Sequence, residues 1–194
     1  MNLGRSLFSI LNNGDSTFGD VQSTASLQFA PTDLALADVN QDGQLDIVTI
    51  RPPSSVSIMT HQGDGVFNDE TQITLNVSPN ALKVADLNED GAVDVVTANE
   101  SSSSVSVLLN TGLGDFDLPR RFDVGIAPTR VTIGDATGDG SLDILASDDQ
   151  DIVVLAGSGI GDFSARETIS RISSGEPSEV RDGPILLRDL DQSG

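Results

Sequence analysis

One nine-residue phrase recurs three times in this chain, and it constrains the fold more than any other feature. It reads Asp38-Val-Asn-Gln-Asp-Gly-Gln-Leu-Asp46, then Asp86-Leu-Asn-Glu-Asp-Gly-Ala-Val-Asp94, then Asp135-Ala-Thr-Gly-Asp-Gly-Ser-Leu-Asp143. A fourth copy opens as Asp189-Leu-Asp191-Gln-Ser193-Gly194, where the sequence ends. Oxygen-bearing side chains at positions 1, 3, 5 and 9, with glycine at position 6, match what a hard, oxygen-seeking cation requires. Glycine at position 6 permits the sharp turn that lets those side chains converge. Calcium is therefore the expected ion.

The repeat has three independent markers. First aspartates are separated by 48, 49 and 54 residues. A Gly-rich turn ends in phenylalanine at Phe18, Phe67, Phe116 and Phe163, spaced 49, 49 and 47 residues apart. A proline lies seven residues before each of the first three phrases, at Pro31, Pro79 and Pro128. A period near 50 residues indicates a propeller or a solenoid.

Inside each repeat the apolar pattern has a period of two. Leu34/Leu36, Leu82/Val84, Val131/Ile133 and Ile185/Leu187 precede the phrase at matching offsets. Short β-branched runs follow it, as in Leu45-Asp-Ile-Val-Thr49 and Ser104-Val-Ser-Val-Leu-Leu109, broken by Gly, Pro, Asn and Ser. Such runs are strands and turns, and no segment shows helical spacing. Four strands per repeat, A to D, make a propeller blade with the phrase as the A–B hairpin loop. The expected fold is all-β, an incomplete propeller of three full blades with partial blades at both ends. Residues 1–30 supply strands C and D of a partial blade, 31–78, 79–127 and 128–180 form whole blades, and 181–194 begin the next. Closing these ends into a ring would leave strand A of the shared blade without a strand B, and sheet proteins avoid such edges. The chain is thus expected to be part of a longer propeller or to associate through its ends.

The helix–loop–helix calcium hand shares the opening of the phrase but needs a glutamate at position 12. That position holds Thr49, Thr97 and Ala146, which excludes it. The candidate ligands of the first loop are Asp38, Asn40, Asp42, the carbonyl of Gln44, and Asp46. In the second they are Asp86, Asn88, Asp90, the Ala92 carbonyl and Asp94. In the third they are Asp135, Thr137, Asp139, the Ser141 carbonyl and Asp143, with the short neutral Thr137 predicting weaker binding. The fourth, Asp189/Asp191/Ser193, is expected to bind poorly or not at all. Loops rich in Asp, Asn and Gly also make plain β-turns. Three aspartates at fixed offsets favour the cation.

Composition narrows the partners. Thirty acidic against ten basic residues give a formal charge of −20, and no basic stripe is available for nucleic acid or an anionic membrane. No apolar run approaches the length of a membrane span. Zero cysteines exclude disulfides, thiolate metal sites and cysteine nucleophiles. The N-terminal segment has an arginine in its only apolar patch and no cleavage signature, so no signal peptide is read there. The regular carboxylates all sit in the loops, leaving no separate acid/base pair, so no enzymatic activity is expected. The single histidine, His61, reads as a polar strand-end residue, the recurrent phenylalanines as inter-blade packing, and Arg120-Arg121 as a solvated strand face. Asn76-Val-Ser78 and Asn99-Glu-Ser101 match glycosylation acceptors.

The Ala37-to-Ile47 phrase, the Gly-x-Gly-x-Phe turn and the period near 49 residues together resemble the FG-GAP/VCBS-type repeats of integrin α-subunit heads and bacterial surface proteins. That resemblance implies blades with Ca²⁺ in the A–B hairpins, commonly seven to a ring. It also implies an extracellular or cell-surface adhesion or interaction module whose ligand is a protein or a glycan. A lectin-like propeller and an accessory module of a secreted enzyme are the alternatives, and the lack of Trp and Tyr weighs against the lectin.

Overall fold

The computed structural model describes residues 6–12, 14–26, 30–64, 66–68 and 70–170. A two-stranded hairpin, β1 (Ser6–Asn12) and β2 (Phe18–Ser26), comes first. Three four-stranded sheets follow. The first blade holds β3 (Leu34–Ala37), β4 (Asp46–Arg51), β5 (Ser55–Met59) and β6 (Thr71–Thr74). The second holds β7 (Ala81–Ala85), β8 (Asp94–Asn99), β9 (Ser104–Leu108) and β10 (Arg120–Asp123), and the third β11 (Arg130–Gly134), β12 (Asp143–Ser147), β13 (Asp151–Gly157) and β14 (Phe163–Ser170). In every sheet the spatial order is the chain order, with each strand antiparallel to the next. The fold is all-β, an incomplete propeller. Among the described residues the only helical piece is one 3₁₀ turn, Glu100–Ser102, in the serine-rich B–C connection. The strand expected at 185–189 and the fourth phrase lie outside the described residues.

Alternation along the central strands sends successive side chains to different neighbours. In β8, Val95 joins an apolar cluster with Val48, Val56 and Ile58 of the first blade. The next residue, Val96, joins a second cluster with Ile144, Val153 and Leu155 of the third. A blade in the middle therefore has two buried faces; β8 and β9 are buried along their whole length, as are β5 and β12 of the flanking blades. The last strands, β6 and β10, are mostly exposed. Burial on both faces also encloses polar residues. Asn99 is 0% exposed and donates through Nδ2 to Ser106 Oγ at 2.9 Å and Ser104 Oγ at 3.3 Å, while accepting from Thr97 Oγ1 at 3.0 Å. Its glycosylation reading fails on this burial, whereas Asn76 stands exposed.

Polar contacts join the blades as well. Leu82 N–H donates to Asp33 Oδ2 at 2.9 Å, and Asn80 Nδ2 donates to the carbonyls of Thr129 at 3.2 Å and Pro128 at 3.3 Å. Phe163 meets Phe122 edge to face across the second and third blades, with centroids 5.6 Å apart, and Phe116 packs against the first inter-blade cluster. Both phenylalanines act between blades. Arg121 lies on the exposed strand face, but Arg120 does not behave as a solvated side chain. It donates to the Gly161 carbonyl at 2.9 Å and pairs with Asp162, both in the C–D turn of the next blade. Its stem offers that reach because β10 borders the following blade.

Ile144 is fully buried between the second and third blades. Ile144→Ala should lower stability by about 2–5 kcal/mol. Urea unfolding should show it as a shifted midpoint with unchanged slope.

Candidate metal centres in the A–B loops

Each loop is built by its own carboxylates. In the first, Asp38 accepts from the backbone N–H of Gly43 at 2.8 Å through one oxygen and of Asp42 at 3.1 Å through the other. Asn40 Oδ1 accepts from the same Asp42 N–H at 3.1 Å, and Asp42 Oδ1 accepts from Gln44 N–H at 2.8 Å. The second loop repeats this: Asp86 takes Gly91 and Asp90 N–H, Asn88 shares the latter, and Asp90 takes Ala92 N–H. Positions 1 and 3 thus converge on the N–H of position 5 in both loops, and the carboxylate of position 5 takes the N–H of position 7. Position 6 has φ of +86°, +88° and +90° at Gly43, Gly91 and Gly140, a region that side chains other than glycine's enter at a cost.

The third loop is assembled differently. Asp135 accepts from Gly138, Asp139 and Gly140 N–H groups, so its carboxylate does the work that Asn40 and Asn88 share elsewhere. Thr137 contributes its N–H to Asp143. Residues 135–140 are all exposed, and Ala136 takes the place of Val39 and Leu87, which are buried in the inter-blade clusters.

The ninth aspartate has a separate station. Asp46, Asp94 and Asp143 are each 0% exposed. One oxygen accepts from the N–H of position 2: Val39 at 2.9 Å, Leu87 at 2.8 Å or Ala136 at 2.8 Å. The other accepts from the end of the third strand: His61 at 2.8 Å, Asn110 at 2.8 Å or Gly157 at 2.9 Å. One buried carboxylate therefore clips the A–B hairpin to the C–D hairpin in every blade. For Asp94, burial pushes the pKa up to about 6; the N–H groups of Asn110 and Leu87 oppose this, and the charges of Asp90 and Asp86 reinforce it. Among the described residues, no three His, Cys, Asp or Glu side chains gather into a metal-holding group. The carboxylates of positions 1 and 5 turn to loop N–H groups, and that of position 9 points to the hairpin junction.

His61 uses its backbone on Asp46, while its ring tilts against Phe67 at 4.8 Å, as a strand-end residue. Asn110 carries more of the site than its sequence context suggests. It is 1% exposed and donates through Nδ2 to the Val39 carbonyl at 2.7 Å and the Val93 carbonyl at 3.1 Å. Its equivalents, each bridged to or paired with the recurrent phenylalanine, are His61 and Gly157, so only the period itself could have drawn attention to it. The neighbouring turn seats against the loop as well, since a Cβ on Gly114 would lie 3.5 Å from the Asn40 side chain.

Blades of four antiparallel strands with acidic A–B hairpins define a repeat β-propeller protein. A family model described as the FG-GAP-like repeat matches residues 38–97 and 86–146, together more than half of the chain. The protein belongs to the FG-GAP-like repeat family. Among solved structures it is similar to an Agrocybe aegerita lectin described for specific recognition of non-reducing terminal N-acetylglucosamine. The identity is 26% and the TM-score 0.61, over 86% of this chain and 46% of that one. A protein from Lactobacillus plantarum shares the fold at 15% identity and TM-score 0.57, over 85% of this chain and 49% of that one. The chain spans about half the length of these structures. No curated protein matches it in sequence. Among the described residues, no helix is long and apolar enough to cross a membrane.

Removing the clip and removing a loop-tip acid should differ without any ion present. Asp94→Ala strands two N–H groups, at about 1–3 kcal/mol each. Asp42→Ala, at an exposed tip, should cost under about 1 kcal/mol. Melting of both variants in chelator checks this, and equal losses would contradict the clip.

Proposed function

We propose that the chain is a calcium-stabilised propeller segment that serves as an extracellular or cell-surface interaction module. The observation that carries this reading is the convergence of Asp38, Asn40 and Asp42, and of Asp86, Asn88 and Asp90, on a single turn. Carboxylate, amide and carbonyl oxygens, with no nitrogen or sulfur donor, suit a hard cation over a transition metal. Asp38, Asn40, Asp42, the Gln44 carbonyl and Asp46 would hold one ion, and their counterparts Asp86, Asn88, Asp90, Ala92 and Asp94 a second. Asp135, Thr137, Asp139, Ser141 and Asp143 would hold a third more weakly, because threonine supplies a short neutral oxygen and the loop is exposed. A bound ion would neutralise the clustered negative charge of each loop, which otherwise raises the cost of ionisation. The chemistry it supplies is structural, fixing the hairpin tips on which neighbouring turns rest.

With dissociation constants of about 0.1–1 mM and about 1 mM free ion, each site contributes roughly 0.4–1.4 kcal/mol. Excess EDTA should therefore lower the melting temperature, and Asp90→Ala should reduce the calcium-dependent part of it. A melting curve indifferent to chelation would defeat the reading. Partner binding is supported by apolar side chains at matching turn tips, Leu113 at 80% and Ile160 at 70% exposure, beside the acidic loops. The high acidity disfavours nucleic acid and membrane surfaces as that partner. The regular acids are committed to loop and junction, so we assign no catalysis.

One observation favours a second reading, a glycan ligand: the similarity to the N-acetylglucosamine-recognising lectin. Against it stands the absence of Trp and Tyr, whose faces commonly stack on sugars. A glycan array with the calcium-loaded protein distinguishes the two, since saturable binding of one sugar class supports the lectin.

A further inference from the structure

We infer that Asn110 couples the first two calcium loops into a pair, while the third loop titrates alone. This rests on the calcium reading above and adds an asymmetry that the repeat itself does not contain. Peptide and side-chain hydrogen bonds run unbroken between the ninth aspartates of the first and second loops. Asp46 Oδ2 accepts from Val39 N–H, and the Val39 carbonyl accepts from Asn110 Nδ2 at 2.7 Å. Asn110 N–H then donates to Asp94 Oδ1 at 2.8 Å, and its Nδ2 also holds the Val93 carbonyl at 3.1 Å, one residue before Asp94. All of Asp46, Val39, Asn110 and Asp94 are at most 1% exposed, so water does not compete for these bonds. At the rim a second strut joins the same two loops, from Gln41 Nε2 to the Gly91 carbonyl at 3.1 Å.

The second and third loops have no counterpart of the Asn110 link. The residue equivalent to Asn110 is Gly157, which still donates its N–H to Asp143 but has no side chain. Nor does the site admit one, because a Cβ there would lie 2.0 Å from the Leu142 carbonyl oxygen. The place of Gln41 is taken in the second loop by Glu89, which offers only acceptor oxygens and cannot donate to a neighbouring carbonyl.

An ion that orders the first loop fixes the Val39 peptide, and with it the amide that orients Asp94. The ordering cost of the shared network is then met once for two ions, which is positive coupling, and it must act equally in both directions. Asn110 is a positioning residue here, since its side chain reaches carbonyls and no candidate ligand atom.

Calcium titration calorimetry on chelator-stripped full chain tests this. In the native protein, two ions should bind cooperatively, each tightening the other about 5-fold, with a third independent and weaker. Asn110→Gly, which copies Gly157, should keep three ions and lose the cooperativity. Should that variant fail to fold, single-loop variants decide. Asp90→Ala should weaken the first loop about 5-fold, whereas Asp139→Ala should leave the first two loops cooperative. Three independent ions in the native protein, or cooperativity untouched by Asn110→Gly, would overturn the pairing and leave the calcium reading standing. No calcium heat and no thermal shift would remove both.

Discussion

A buried carboxylate that accepts two backbone N–H groups from different hairpins is the constraint on which each blade rests. Antiparallel strands alone hold a sheet together, but they do not decide how its two loops at one end meet. Asp46, Asp94 and Asp143 decide it by tying position 2 of the A–B loop to the end of strand C. In a dry junction such bonds are strong, and leaving the donors unpaired would be costly. The acid is thus part of the fold as well as of the candidate site. Calcium, where it binds, would be held by the loop tip and by this same aspartate, so the tip is the ion's own share and the junction is one it has in common with the backbone.

That division of labour explains the differences among the three loops. Where Val39 and Leu87 anchor position 2 in inter-blade clusters, the loop backbone is fixed from below and an asparagine joins the first aspartate on a common N–H. Where Ala136 leaves that anchor out, Asp135 takes on three N–H groups by itself and the loop stands in solvent. Residues that look interchangeable along the repeat therefore differ in how much the surrounding blades support them.

Much of the architecture was legible in the sequence, because its signals are local and periodic. The alternation in Val93-Asp-Val-Val-Thr97, the turn glycines and the recurrent phenylalanines report strand, turn and blade without reference to distant residues. The candidate ligands were legible for the same reason, being confined to nine consecutive positions. What escaped were contacts made across blades. Asn110 meets Val39 at a separation of 71 residues, and nothing around it distinguishes it from another turn asparagine. Arg120 reads as surface charge until the next blade places Asp162 and the Gly161 carbonyl within its reach. Within its own blade, Asn99 matches an acceptor sequence, and only the pairing of β8 with β9 shows that its amide is already engaged by Ser104 and Ser106. The double role of the ninth aspartate was equally hidden, since its spacing fits a ligand whether or not its oxygens turn to backbone.

The two-sided use of the middle blade limits how such a chain can change over evolution. Val95 serves one neighbour and Val96 the other, so inserting a single residue into β8 would exchange the two faces at once. Every apolar contact and the Thr97–Asn99–Ser106 network would then face the wrong side, with no partial remedy from repacking. Lengthening is tolerable only in the turns or by whole blades. This accounts for a spacing that differs by only a residue or two among the three described blades, whose central strands stay in step.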